Sequence, residues 1–116
     1  MGEKASLKAF LDQHLHYAWT DNIDALVADY ADDAILFTPD AVINGRSNIR
    51  EFLADFLDNK PPEFPADIKF MAKEFGNDVI YIVWSCGPTI PYATETFVLK
   101  NGMITAQTFA ACPLHK

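Results

Sequence analysis

Apolar positions recur at i, i+3, i+4 and i+7 through Leu7, Phe10, Leu11, His14, Tyr17 and Ala18, which predicts a helix from about Ser6 to Trp19 with these residues on one face. His14 sits in the middle of that stripe. A second stripe, Ile23, Leu26, Val27 and Tyr30, fits the same period after a capping Asn22 and predicts a helix of about ten residues that ends at Asp32-Asp33. A third helix is predicted over Ser47 to Asn59, with Ser47 or Asn48 as cap, Glu51 as capping-box partner, and Ile49, Phe52, Leu53, Phe56 and Leu57 as its face. The proline-rich stretch Lys60-Pro61-Pro62-Glu63-Phe64-Pro65 stops it.

The pattern then changes to strands. Ala34 to Thr38 reads as a strand between the second and third helices, followed by turn chemistry at Pro39-Asp40 and Asn44-Gly45. Ile68, Phe70 and Ala72 alternate with Lys69, Met71 and Lys73. After a turn at Asn77-Asp78, Val79 to Cys86 is apolar on both sides. Tyr92 to Lys100 and Met103 to Cys112 flank Asn101-Gly102, the strongest short hairpin signal. Helices followed by antiparallel strands predict an α+β fold, one domain over residues 1–116, with the helices on one sheet face. The other face, Tyr92, Thr94, Thr96 and Val98 with Thr105 and Gln107 across the hairpin, is uncharged and suits a homodimer through the outer sheet face.

Charge changes the picture of partners. Sixteen acidic against nine basic residues give −7, and no stretch gathers Lys and Arg, so neither nucleic acid nor a membrane surface is an expected partner. Between Ala9 and Gly45 there is no Lys or Arg, while Asp21, Asp24, Asp29, Asp32, Asp33 and Asp40 fall inside that span, which predicts a negative surface. The longest wholly apolar run is far short of a spanning helix. The N-terminus leads into an amphipathic segment, so the expected location is cytoplasmic. Cys86 and Cys112 lack CxxC spacing, so free thiols are expected, with no metal and no cofactor.

Alternation sets Glu95 on the strand face of Ala93, Phe97 and Leu99. A carboxyl there needs a partner or a raised pKa, because burying the bare anion is costly. His14 poses the same problem from the helix side. Both imply a cavity between helices and sheet with a few polar groups. His16 lies on the far side of the helix from His14 and forms no chelate with it. Asp40, after Pro39, is a further carboxylate within reach of such a cavity, although Asp there is also ordinary turn chemistry.

Tyr30-Ala31-Asp32-Asp33-Ala34-Ile35-Leu36, then Gly45-Arg46-Ser47-Asn48-Ile49-Arg50-Glu51-Phe52-Leu53, and the closing hairpin Glu95 to Gly102 resemble the SnoaL-like and ketosteroid-isomerase-like branch of the nuclear transport factor 2-like superfamily. The resemblance covers nearly the whole chain. It implies a cone of three helices and a curved antiparallel sheet, a pocket inside the cone, and a dimer through the outer sheet face. Ketosteroid isomerases pair an Asp base with an oxyanion hole of a Tyr and a protonated Asp. The base position, just before the proline of the first strand, is Thr38 here, so that carboxylate is absent. The oxyanion positions correspond to His14 and Glu95. Together these readings assign catalysis to His14 and Glu95 with Asp40 in reserve, and the pocket wall to Tyr17, Ala18, Tyr30, Phe37, Thr38, Phe52, Phe56, Trp84 and Phe97. The expected ligand is a small, neutral, apolar molecule with a carbonyl or hydroxyl. The expected chemistry is a cofactor-free isomerisation, cyclisation or dehydration, and the alternative is a non-catalytic ligand-binding or dimerisation module.

Overall fold

The computed structural model describes residues 3–112, excepting the side chain of Glu3. Three helices, α1 (Glu3–Trp19), α2 (Ile23–Ala28) and α3 (Arg46–Asp58), pack on one face of a six-stranded curved sheet. The strands are β1 (Tyr30–Phe37), β2 (Val42–Asn44), β3 (Ile68–Gly76), β4 (Val79–Cys86), β5 (Ile90–Lys100) and β6 (Met103–Cys112), in the spatial order β2-β1-β6-β5-β4-β3. β3 to β6 form an antiparallel meander, and the turns are those the Asn-bearing dipeptides announce. Asn77, Asp78, Asn101 and Gly102 all have positive φ, as two-residue hairpin turns require. The β1–β6 pairing is parallel, so the sheet is mixed, because the chain reaches β6 only after α3 and the meander.

The second helix is shorter than its period implies. Asn22 caps it, its side chain accepting from the Ala25 amide at 3.3 Å, but the helix ends at Ala28. The Ile104 amide takes the Asp29 carbonyl at 2.8 Å, and Tyr30 pairs with Ile104, so the last apolar residue of the stripe begins β1 instead. A tertiary pairing has overridden a local period. At α3 the cap is Gly45 at φ 88°, with no side-chain cap bond, so the expected Ser47 or Asn48 cap and Glu51 box do not form. Asn48 donates instead to the Asn44 carbonyl.

The core lies between helices and sheet. Leu7 and Leu11 of α1, Ile49 of α3, and Leu36, Ile80, Ile82, Phe97 and Ile104 from the strands are all nearly or fully buried. The acidic surface is partly neutralised by cations from elsewhere in the chain: Arg50 meets Asp24 at 2.6 Å, Lys60 meets Asp21 at 2.8 Å, and Arg46 approaches Asp32 at 3.5 Å. Such exposed pairs contribute at most about 1 kcal/mol each and serve mainly to lower local repulsion.

One irregularity decides what faces the interior. Between the pairs Leu99–Ile104 and Val98–Ala106 the sixth strand carries an extra residue, Thr105. Without it, Gln107 would lie opposite Thr96 on the outer face, as strict alternation from the turn predicts. With it, Gln107 lies opposite Phe97 and is buried. The outer-face assignment of Gln107 is therefore corrected.

Candidate functional site

The cone encloses an apolar cavity with about 70 Å³ of space open to the centre of a water molecule, enough for several waters or one small ring compound. α1 supplies His14, Leu15, Ala18 and Trp19; α3 supplies Phe52, Leu53, Phe56 and Leu57. Phe64, in the proline-rich segment, closes one side by packing edge-on against Phe56 at 5.8 Å between ring centroids. The sheet provides the polar floor, Tyr30, Trp84, Glu95 and Gln107, set among Phe70, Phe97 and Phe109.

Two hydrogen-bonded groups bring ionisable side chains to this cavity. On the helical side, His14 Nδ1 lies 2.8 Å from Asp29 Oδ2, and the His14 side chain is only 6% exposed. The imidazole is gripped on its other sides by rings, stacked against Phe10 at 5.9 Å, edge-on to Phe97 at 5.4 Å, and tilted to Tyr30 at 5.7 Å. With Nδ1–H donated to the carboxylate, Nε2 is the acceptor of the neutral ring, and no described residue partners it.

On the sheet side, four strands contribute to one chain of bonds. The Tyr30 hydroxyl donates to Gln107 Oε1 at 2.5 Å, which fixes the amide so that Gln107 Nε2 donates to Glu95 Oε1 at 2.8 Å. The Trp84 indole N–H donates to Glu95 Oε2 at 2.9 Å. Burial pushes the Glu95 carboxyl up to about 7, and the two N–H donors pull in the opposite direction by favouring the anion. Glu95 keeps some accessible surface because it faces the cavity rather than solid core. Burial, with the negative charges of Glu95 and Asp29, raises the Tyr30 hydroxyl well above its ordinary value and keeps it a donor. Each polar side-chain atom of this sheet network has a partner, so the network is complete as it stands.

Of the expected site residues, His14, Glu95, Ala18, Tyr30, Phe52, Phe56, Trp84 and Phe97 line this cavity. His14 and Glu95 share it without bonding to each other; each has its own partners. Four residues lie elsewhere. Phe37 follows the buried Leu36 and so points to the outer sheet face, 42% exposed. Thr38 lies beyond the strand end, where its hydroxyl accepts from the Asp40 and Ala41 amides and closes the β1–β2 turn. Asp40 is exposed in that turn and does not reach the cavity. Tyr17 is rotated off the cavity face of α1. Asp29 and Gln107 are the site residues that sequence reasoning missed. Asp29 is one of several Asp in an acidic span, with nothing local to mark its partner 15 residues away.

Among the described residues no group of three or more His, Cys, Asp or Glu is placed to hold a metal ion, and none of the helices is long and apolar enough to cross a membrane. Cys86 and Cys112 are both free thiols, the first buried and the second exposed.

No protein-family model matches the sequence, and no curated protein matches it either. Solved structures do. An NTF-2 like protein of unknown function from Burkholderia xenovorans superposes with TM-score 0.72 at 21% identity, over 94% of this chain and 84% of that one. A SnoaL-like protein of unknown function from Burkholderia thailandensis gives TM-score 0.76 at 15% identity, over 97% and 99%. An LEH-like epoxide hydrolase from M. tuberculosis gives 0.68 at 13% identity, over 95% and 85%. This chain shares the α+β cone fold of the NTF2-like and SnoaL-like proteins.

Proposed function

We propose that the cone binds a small, mostly apolar molecule bearing a carbonyl or hydroxyl, and that His14 and Glu95 perform cofactor-independent general acid/base chemistry on it. The observation that carries this reading is the placing of two differently held ionisable groups, His14 on Asp29 and Glu95 on Trp84 and Gln107, in one apolar cavity. His14 takes a proton through Nε2, and Asp29 stabilises the imidazolium that results. Glu95, poised near neutrality, gives a proton to a carbonyl oxygen or departing hydroxyl, and its anion is then held by the indole and amide N–H groups. Isomerisation, cyclisation and dehydration all use this pair of transfers. The fold also hosts a structure described as an epoxide hydrolase, which supports an enzymatic reading without specifying it.

The test is thermal shift of the purified protein against neutral steroids, phenolic polyketides, terpenoid epoxides and small lactones. A ligand at a hundred times its Kd stabilises by about 2.7 kcal/mol. Stabilisation by one class, lost in both Glu95→Gln and His14→Ala, is the expected result; absence of any shift removes the support for catalysis. The second reading, a non-catalytic ligand-binding or dimerisation module, is favoured by one observation: Thr38 and Asp40 are spent on a turn, so the end of β1 offers the cavity no carboxylate.

The proposed partner beyond the ligand is a second copy of this chain, through the outer sheet face. Val42, Phe37, Thr108, Thr96 and Tyr81 stand side by side in register across five strands, and Val42, Phe37 and Tyr81 are exposed at 56%, 42% and 38%. Sedimentation of the wild type is expected to give a dimer, and Thr96→Arg, which sets a charge mid-row, a monomer. A monomeric wild type would end this proposal. For location we propose the cytoplasm, which its two free thiols suit.

A further inference from the structure

The surroundings of Glu95 go beyond what a neutral ligand needs. Its register partner on β6 is Phe109, its neighbour along the same face of β5 is Phe97, and Trp84 of β4 donates to it from the other side. Three aromatic residues thus surround one carboxylate. Among the described residues neither Lys nor Arg lines the cavity; Lys73 lies over the Phe70 ring, 4.3 Å from its centroid, but is itself exposed and not part of the wall. The polar groups that share the cavity with Glu95 are His14 of α1, the Tyr30 hydroxyl of β1 and the Gln107 amide of β6, with Asp29 beyond α2 held on His14, while α3 offers only apolar side chains.

An anion held by two N–H donors and faced by aromatic rings matches the recognition chemistry of an organic ammonium. An aromatic ring attracts a cation placed over its face through its quadrupole, and the carboxylate supplies a charge-assisted hydrogen bond. We infer that the cavity takes a small molecule with an aromatic or otherwise apolar body and a protonated amine, with Glu95 as its counter-ion among Trp84, Phe97 and Phe109. The inference rests on the cavity being a ligand site, as proposed above, and adds a cationic class to the neutral one.

Because Glu95 is about half ionised near neutral pH, ammonium binding there draws it to the anion and releases part of a proton. Affinity for the ammonium rises as pH passes upward through about 7.

The experiment is calorimetry with three probes of one shape, 2-phenylethylammonium, 2-phenylethanol and phenylacetate, at pH 5.5 and pH 8. At pH 8 the ammonium is expected to bind at least about tenfold tighter than the alcohol, and phenylacetate more weakly than either, the ratio that one charge-assisted contact produces. The ratio is expected to shrink at pH 5.5, and to vanish in Glu95→Gln, where the ammonium loses more affinity than the alcohol. Titrations at pH 7 in two buffers of different ionisation heat count the released proton in the wild type, so the result does not depend on the variant folding. Equal binding of ammonium and alcohol, or a preference that survives Glu95→Gln, overturns this inference and leaves the cavity reading standing. Failure of all three probes overturns both.

Discussion

Glu95→Gln is expected to remove a pH-dependent cost that the wild type carries. The carboxyl's displacement from its usual 4.5 to about 7 means that folding favours the protonated form. The sign follows from linkage: below about pH 4.5 Glu95 is neutral in both folded and unfolded chains and costs nothing, and between 4.5 and 7 the unfolded chain ionises first. Above 7 the folded protein bears the full cost of the buried anion, about 3 kcal/mol. Urea unfolding of both proteins at pH 4.5 and pH 8 checks this. The stability difference, variant minus wild type, should grow by about 3 kcal/mol between the two pH values. A constant offset is expected as well, because Gln107 Nε2 then meets an amide in place of a carboxylate, but that offset does not change with pH. A difference that stays flat would mean Glu95 titrates as an ordinary surface acid.

Gln107→Leu is expected to act on the same carboxyl from the other direction. The substitution removes one of the two donors that favour the anion and leaves the Tyr30 hydroxyl without its acceptor. Stability should fall by about 1–3 kcal/mol, the range for a buried polar group stripped of its partner. The Glu95 titration, followed by carboxyl carbon NMR, should move above 7. Tyr30→Phe separates the two effects, because it leaves the Gln107 donor to Glu95 in place. An unmoved Glu95 titration in Gln107→Leu would show that the indole alone sets the carboxyl.

Local pattern carried much of this architecture. Helical periods placed α1 and α3 within a few residues, the Asn-bearing turns located both tight hairpins, and alternation along β5 put Glu95 on the face of Ala93 and Phe97. What alternation could not carry was a change of phase. Thr105 shifts β6 by one residue, and nothing in Met103-Ile104-Thr105-Ala106-Gln107 distinguishes a bulge from a regular strand. Tyr30 shows a different limit: it satisfies a helical period, yet the backbone there is claimed by Ile104, a residue 74 positions later. Asp29 is illegible for the same reason, its partner being set by how α1 lies across the chain. The pocket assignment of Phe37 and Thr38 fails because the strand's pleat turns one outward and its end turns the other into a loop.

The row of exposed side chains on the outer sheet face raises the question of what stops the sheet from growing sideways. β3 is its long edge, nine residues with one side of its backbone unpaired among the described residues. That edge carries Lys69 and Lys73, both exposed, and a bulge at Met71 interrupts its regular spacing. A strand from another molecule would have to bury two ammonium groups and match a broken ladder to add there. The same sheet can therefore offer a broad face for stacking while its rim resists fibril-like extension.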